Sequence, residues 1–567
     1  MDFQRIFILL GLAVTAYMLI LAWNDDYGTG KVAPDDVPVL DQVAANGAAM
    51  TDNIVGQIPE SANLTNQADF LPQVETESLS QTPSETTTLQ NDSRLVSIKS
   101  NVLHLTIDTL GGDIVKASLP AYPTTIDNPD SPFTLIDPGN KYAAQSGLIG
   151  KNGTDTSAGR PQFVVSDYNY EMRSDENEIQ VDLTLNQAGV LITKRFTLRR
   201  SDYLVDVDYI VENNTPNNWQ AALFAQIKRD RESPVISHDN AMGLQPYTGG
   251  ATYIPGTPYN KLEFDDIEEE SYKQKVEGGY IAMVQHYFVT AWVPKGDETN
   301  TFQARYLRQQ DVFLFGFTAP NWKVEPGQQS NKGAQFYIGP KDQYRLEEIS
   351  QGLDLTVDYG FLWWLAKPLF FLLNTIHGLV GNWGVAIIGL TILVKTLLFP
   401  LSAAGFKSMA KMRKLQPEMA RLKERYGDDK QKFSQAMMEL YKKEGANPLG
   451  GCFPILLQMP VFLALYWTLM ESVELRQASF ILWINDLSIM DPYFVLPILM
   501  GGSMFLTQLM QPEPPDPMQA KVMKMMPIMF TFFFLWFPSG LVLYWLVNNL
   551  LSAAQQFYVN KKIEAQP

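Results

Sequence analysis
The sequence predicts an α-helical polytopic membrane protein with six spans, a large β-sandwich on one side of the bilayer and a basic helical hairpin on the other. Three observations predict it. Five apolar stretches crowd into the last third of the 567-residue chain, after a lone one at its start. Much of the region between them alternates apolar and polar residues. The formal charge of −17 is also unevenly spread, with eleven Lys/Arg against six Asp/Glu in residues 405–447.

The first apolar run, 6–23, is longer than a signal-peptide core, and no A-x-A site follows it before Asn24-Asp25-Asp26. Residues 1–23 therefore read as an uncleaved transmembrane anchor. The sole cysteine, Cys452, lies far downstream, which leaves no lipoprotein processing, no disulfide within the chain and no thiolate zinc site. Residues 24–94 are rich in Asp, Asn, Gln, Ser, Thr and Pro and read as a disordered linker. Over 95–355 the pattern changes to alternation. Ile179, Val181, Leu183 and Leu185 share one strand face, and Val205, Val207, Tyr209 and Val211 share another. Asn213-Asn214 and Gly249-Gly250 read as turns. A β-sandwich of roughly 250 residues follows, large enough for its own core. Its histidines, His104, His238 and His286, stand far apart, and the chain shows no metal spacing, nucleophile elbow or phosphate loop. A binding or scaffold role fits this domain better than hydrolysis, with no cofactor, metal or ATP. Residues 356–378, with Trp363, Trp364, Lys367 and Pro368, read as an amphipathic helix in the membrane interface, or else as an early start to the next span.

The second span lies in 379–404, and four more, at 452–470, 493–510, 522–537 and 541–558, fill 448–560. Six spans put both termini on one side, with the basic segment 405–447 and the tail 561–567. The positive-inside rule makes that side cytoplasmic and the sandwich external. Segment 405–447 reads as two antiparallel helices. Met409, Met412, Leu415, Met419 and Leu422 stripe the first, and Phe433, Ala436, Met437, Leu440 and Tyr441 the second. Gly427 ends one, and Asp428 or Asp429 caps the other. The outer residues Lys407, Lys411, Arg413, Arg421 and Arg425 suit anionic partners such as ribosomal RNA or lipid headgroups, or serve only topology as a solvated face.

Within 383–404 a single charge, Lys395, stands nine residues before Ala404. In a continuous helix that is roughly 14 Å, more than twice the reach of a lysine stem. A charge at that depth costs roughly 2.5–3.5 kcal/mol. Thr391 is one turn before it, on the same face. Trp545, Asn548, Asn549 and Ser552 share one side of the last span, while Gln458, Thr507 and Gln508 lie in the third and fourth. No carboxylate sits mid-span to pair with Lys395, so a hydrated cavity is expected. The fifth span carries Met523, Met525, Met526 and Met529, which suit either varied apolar partners or plain core packing.

Five stretches carry a resemblance: GNWGVAIIGLTILVK (381–395), the hairpin segment 408–451, NPLGGCFPILLQMPVFLALYWTLMESVELRQASFILWINDLS (447–488), DPYFVLPILMG (491–501) and FFFLWFPSGLVLYWLVNNL (532–550). They cover nearly all of 356–559, and the chain resembles the YidC/Oxa/Alb family of membrane protein insertases in its Gram-negative form. The resemblance implies a periplasmic β-supersandwich, five spans forming an insertase core in the cell inner membrane, and no enzymatic step. It implies a substrate groove in which Lys395 is the charge, Thr391 the threonine and Trp545 the last-span aromatic; the polar residues Gln458 and Asn548 read as part of that groove, and Leu463, Met525 and Met529 as an apolar slide. The family's groove charge is usually arginine. Lys395 keeps the charge without the bidentate fork, so the implied role is electrostatic. Implied partners are nascent membrane proteins, the Sec translocon, the lipid bilayer and, through the cytoplasmic loops, a transiently bound ribosome; DNA is not among them. The rival reading is a small-solute transporter or channel, which would often show an internal repeat. No clear repeat is found.

Overall fold
The computed structural model describes residues 94–564, apart from 157–158, 233–245, 427–428, 446–452 and 512–516. The first apolar run, the linker up to residue 93, His238, Gly427-Asp428, Cys452 and the last three residues lie outside the described residues. The described chain forms two compact units, a β unit up to Val357 and a helical unit from Asp358.

Alternating side chains build the β unit. Its two sheets hold eleven and nine strands among the described residues. In the smaller sheet Val181 pairs with Phe196, Phe196 with Val207 and Val207 with Ala334. All four are buried, and they form one apolar row across four adjacent strands. Polar core groups are fastened between sheets: the Tyr209 and Ser146 hydroxyls lie 3.2 Å apart, and Trp292 Nε1 donates to the Gln226 carbonyl at 3.1 Å. Two short helices, α1 (Phe264–Glu269) and α2 (Gln343–Ile349), flank the strands, and Asp342 caps α2. Gly249 and Gly250 do not form a turn. They open the strand Gly249–Ile254, with Gly250 paired to Met283. A Cβ on Gly250 would stand 2.3 Å from Phe315 Cε1, so this glycine serves close packing between the sheets.

In the helical unit, α3 spans Trp363–Val380, several residues later than the interfacial helix expected from 356. A 3₁₀ turn, Leu353–Thr356, occupies the expected start, and Gly381 at φ 68° ends α3. Asn382 caps α4 (Trp383–Leu397), its side chain accepting from the Val385 N–H at 3.0 Å. The expected continuous span breaks here. α5 (Phe399–Lys414) leaves α4 at a bend of 68°. Pro400 supplies the cause: it has no N–H for the Thr396 carbonyl and its ring crowds that carbonyl. Leu415 likewise separates α5 from α6 (Gln416–Tyr426), with Pro417 in the second position of α6. The first arm of the hairpin is therefore two helices rather than one.

Asp429 caps α7 (Lys430–Lys443), accepting from the Gln431 and Lys432 N–H groups. The methionine stripe packs on more than its partner helix. Phe406, Met409, Met412, Leu415, Met419 and Tyr441 form one buried cluster with Val559 of α11 (Ser539–Glu564). Between them run α8 (Phe453–Glu471), α9 (Val495–Leu509) and α10 (Pro517–Phe533). Among the described residues, no single helix is long and apolar enough to cross a membrane; the bent pair α4–α5 is, taken together.

Candidate functional site
The break after α4 changes the setting of Lys395. It stands in the last turn of α4, and its ammonium is buried against two other helices. Nζ donates to Gln458 Oε1 of α8 at 3.1 Å and to Ser552 Oγ of α11 at 2.6 Å. Ser552 Oγ in turn donates to the Asn548 carbonyl at 2.7 Å. Both acceptors of the ammonium are neutral, and two of its three N–H donors are engaged. The desolvation of the charge is thus offset by oriented side-chain dipoles rather than by a carboxylate. Gln555 Nε2 donates to the Lys395 carbonyl at 3.2 Å, tying the end of α4 to α11 where the helical ladder is interrupted.

Thr391, Val394, Lys395, Leu398, Ser402, Gln458, Tyr544 and Asn548 line a recess. In this conformation it has room for on the order of one water molecule. The Thr391 hydroxyl is spent within its own helix, donating to the Ile387 carbonyl at 2.6 Å. Trp545 does not line the recess. Its ring packs edge-on to Phe462 at 4.5 Å and against Phe534 at 5.2 Å, and its Nε1 finds no hydrogen-bond partner among the described residues. Tyr544 stands there instead. Tyr544, Asn548 and Ser552 follow one another at i, i+4 and i+8, so they form a single row along α11. Asn549 reaches another neighbour, donating to Ser503 Oγ of α9 at 3.2 Å. Sequence reasoning missed Tyr544, Ser402 and Gln555. The i+4 spacing from Asn548 could have found the first, and Pro400 pointed to the break that brings in the second.

The remaining candidates are spread out. Met525 and Met529 are exposed on α10, beside Ile528, while Leu463 is half-buried on α8. Lys407, Lys411 and Arg413 on α5 and Arg421 and Arg425 on α6 are all exposed. The Lys411 ammonium approaches the Gly445 carbonyl at 3.5 Å, just past the end of the second arm.

These parts define a class first. Residues 95–372 match the family described as the YidC periplasmic domain, and residues 375–566 match the 60Kd inner membrane protein family. The chain is thus of the class of inner-membrane proteins that carry a periplasmic β domain. It is 50% identical over 568 residues to the membrane protein insertase YidC of Pseudomonas fluorescens (strain SBW25), covering 100% of this chain and 99% of that one. It is also 50% identical over 566 residues to the membrane protein insertase YidC of Cellvibrio japonicus (strain Ueda107), with the same coverage. The chain belongs to the YidC family of membrane protein insertases, a family of insertases and not of enzymes. Among solved structures it is similar to an active YidC insertase crystal structure with the first transmembrane domain resolved, at a TM-score of 0.38 and 18% identity over 82% of this chain and 92% of that one.

Proposed function
We propose that this chain inserts integral proteins into the inner membrane and helps them fold, alone or beside the Sec translocon, without a covalent step. The observation that carries this reading is Lys395, buried in a recess and held by Gln458 and Ser552. An incoming apolar segment moves along the exposed face of α10 around Met525 and Met529, past Leu463 of α8. Its polar flank enters the recess of Thr391, Lys395, Gln458, Tyr544 and Asn548, which widens and hydrates as it is occupied. An oriented polar lining lowers the penalty of bringing backbone and charge into hydrocarbon. Lys395 attracts acidic flanks, and an inside-negative potential drives them outward at about 2.3 kcal/mol per charge per 100 mV.

The proposed topology has six crossings: the anchor 1–23, the bent α4 region within 379–404, and four in 448–560. The linker 24–94 and the sandwich 95–355 are periplasmic, α3 lies in the outer interface, and the hairpin 405–447, tail 561–567 and both termini are cytoplasmic. Lys407, Lys411, Arg413, Arg421 and Arg425 then form the docking face for a translating ribosome. The test is photo-crosslinking from Asn548 and, separately, Met529 to a ribosome-arrested single-span membrane protein. Crosslinks from Met529 to the apolar segment and from Asn548 to the polar flank are expected. A folded, inserted protein that crosslinks from neither position would sink this reading in favour of a solute channel.

A further inference from the structure
Segment 472–494 joins α8 to α9 at the end of the helical unit where α4 and α11 begin, opposite the basic hairpin. From 477 to 490 it contains one charged residue, Asp486, and that carboxylate is buried, accepting from the Ser488 N–H at 2.8 Å. Its tip is apolar and open. Leu482 is 80% exposed and Tyr493 67%, with Ile481 and Phe494 exposed beside them. Leu482 sits at φ 57° and Phe494 at φ 56°, a backbone region unfavourable for large side chains. Water-facing loops ordinarily place polar residues or glycine at such positions.

This display is rigidly supported from three directions. Asn382, the cap of α4, donates its side-chain N–H groups to the Ser479 and Phe480 carbonyls at 3.3 and 3.1 Å. Asp491, fully buried, accepts from Trp483 Nε1 at 2.9 Å and from the Leu496 N–H at 2.7 Å. The Ser539 and Gly540 N–H groups at the start of α11 donate to the Ile489 and Leu487 carbonyls at 2.7 and 2.8 Å. The backbone is satisfied inward while the apolar side chains are turned out. The exposed apolar surface continues without a charged break onto Ile498 and Leu499 of α9.

We infer that the loop tip, Ile481, Leu482, Tyr493 and Phe494, is a membrane anchor seated in the headgroup and upper acyl region of the outer leaflet. Lipid is the occupant because the patch runs into the apolar side of α9, carries no exposed charge from 477 to 490, and offers the aliphatic-plus-tyrosine composition of an interface. The inference rests on the proposed topology, which puts this end of the bundle outside. The loop holds the periplasmic ends of α4, α8 and α11 at a set depth, at the opposite end of α4 from Lys395.

The test uses the full chain in lipid nanodiscs, with Cys452→Ala and an environment-sensitive fluorophore on Leu482→Cys. Val164→Cys, on an exposed residue of the β unit, gives the water reference. The expected result is blue-shifted emission at 482, loss of about half its intensity to a lipid nitroxide near the headgroup, and less loss to one at the chain end. Soluble iodide should quench 164 and spare 482. Quenching of 482 by iodide but not by lipid nitroxides would overturn the anchor. Protection from both quenchers would overturn it too, because the tip would then be covered by protein. Labelling of the hairpin lysines by a membrane-impermeant amine reagent, in intact and in lysed spheroplasts carrying the full chain, reads topology independently, so an inverted bundle is distinguishable from a failed anchor.

Discussion
Lys194 of the β unit and Lys395 of the helical unit are both buried, and they are held in opposite ways. Lys194 of the β unit donates to two backbone carbonyls, Gly111 at 3.0 Å and Ser146 at 3.1 Å. Around it Arg160 makes ion pairs of 2.8 Å with Asp113 and 2.5 Å with Asp155. Among the described residues, the acceptors of Lys395 in the helical unit are neutral side chains, one from each of two other helices. The Ser146 carbonyl belongs to a strand and the Gly111 carbonyl to the tight turn between two paired strands, so neither moves without disturbing the sheet, whereas Gln458 and Ser552 need only rotate. The first lysine belongs to a locked structural cluster. The second has partners that can swing away, and in the proposed mechanism it exchanges them for a substrate's.

The largest expected effect tests how locked the first cluster is. Arg160→Met leaves Asp113 and Asp155 buried without their ion-pair partner and should destabilise the β unit by roughly 3–5 kcal/mol in chemical denaturation. Little change would mean that water reaches the cluster. The pH dependence comes next. Burial pushes the Lys194 ammonium down to about 7, against an ordinary value of 10.5. Between those values the unfolded chain binds more protons than the folded one, so this group makes stability rise with pH, by at most about 1.4 kcal/mol per unit. Below pH 7 its full cost is present. Comparing denaturation midpoints of the parent and Lys194→Met at pH 7 and pH 9 isolates the slope, which the variant should lose.

Gly250→Ala tests the same rigidity from the packing side. The added methyl meets Phe315, and a loss of about 1–3 kcal/mol is expected by thermal unfolding. At Lys395 the comparison predicts function without stability. Lys395→Met should cut insertion of a substrate with an acidic flank about tenfold, near 1.4 kcal/mol, while a neutral-flanked substrate is spared and Lys395→Arg is active. A large drop in melting temperature for Lys395→Met would make the two lysines alike. The smallest effect on stability belongs to reversing Lys407, Lys411, Arg413, Arg421 and Arg425 to Glu. Each exposed change should stay within about 0.5 kcal/mol, and co-sedimentation with ribosomes should fall.

The groove was legible in part because its members are anomalies in apolar sequence. Lys395 and Gln458 stand out wherever helices are read, and Asn548 and Ser552 share a helical face. That Tyr544 rather than Trp545 lines the recess has a definite reason. Sequence gives the period of a helix but not its rotation about its own axis, and a turn of about 100° separates neighbouring residues. Pro400 was visible as a breaker, yet the apolar run passing through it argued for one span. Gly249-Gly250 carries the composition of a turn, and only Phe315 of the facing sheet explains why glycine stands in a strand there.

The sequence by itself determined the division into a β unit and apolar helices, the placement of positive charge in 405–447, and the fact that Lys395 needs a partner. These follow from local composition and periodicity, which every chain carries in one dimension. Tertiary structure alone decided that the partners are Gln458 and Ser552, that Gln555 ties the end of α4 to α11, and that Val559 completes the methionine cluster. Hydrogen bonds and packing contacts act over a few ångströms, and residues 63 and 157 positions apart in the chain come within that range only once the helices have packed.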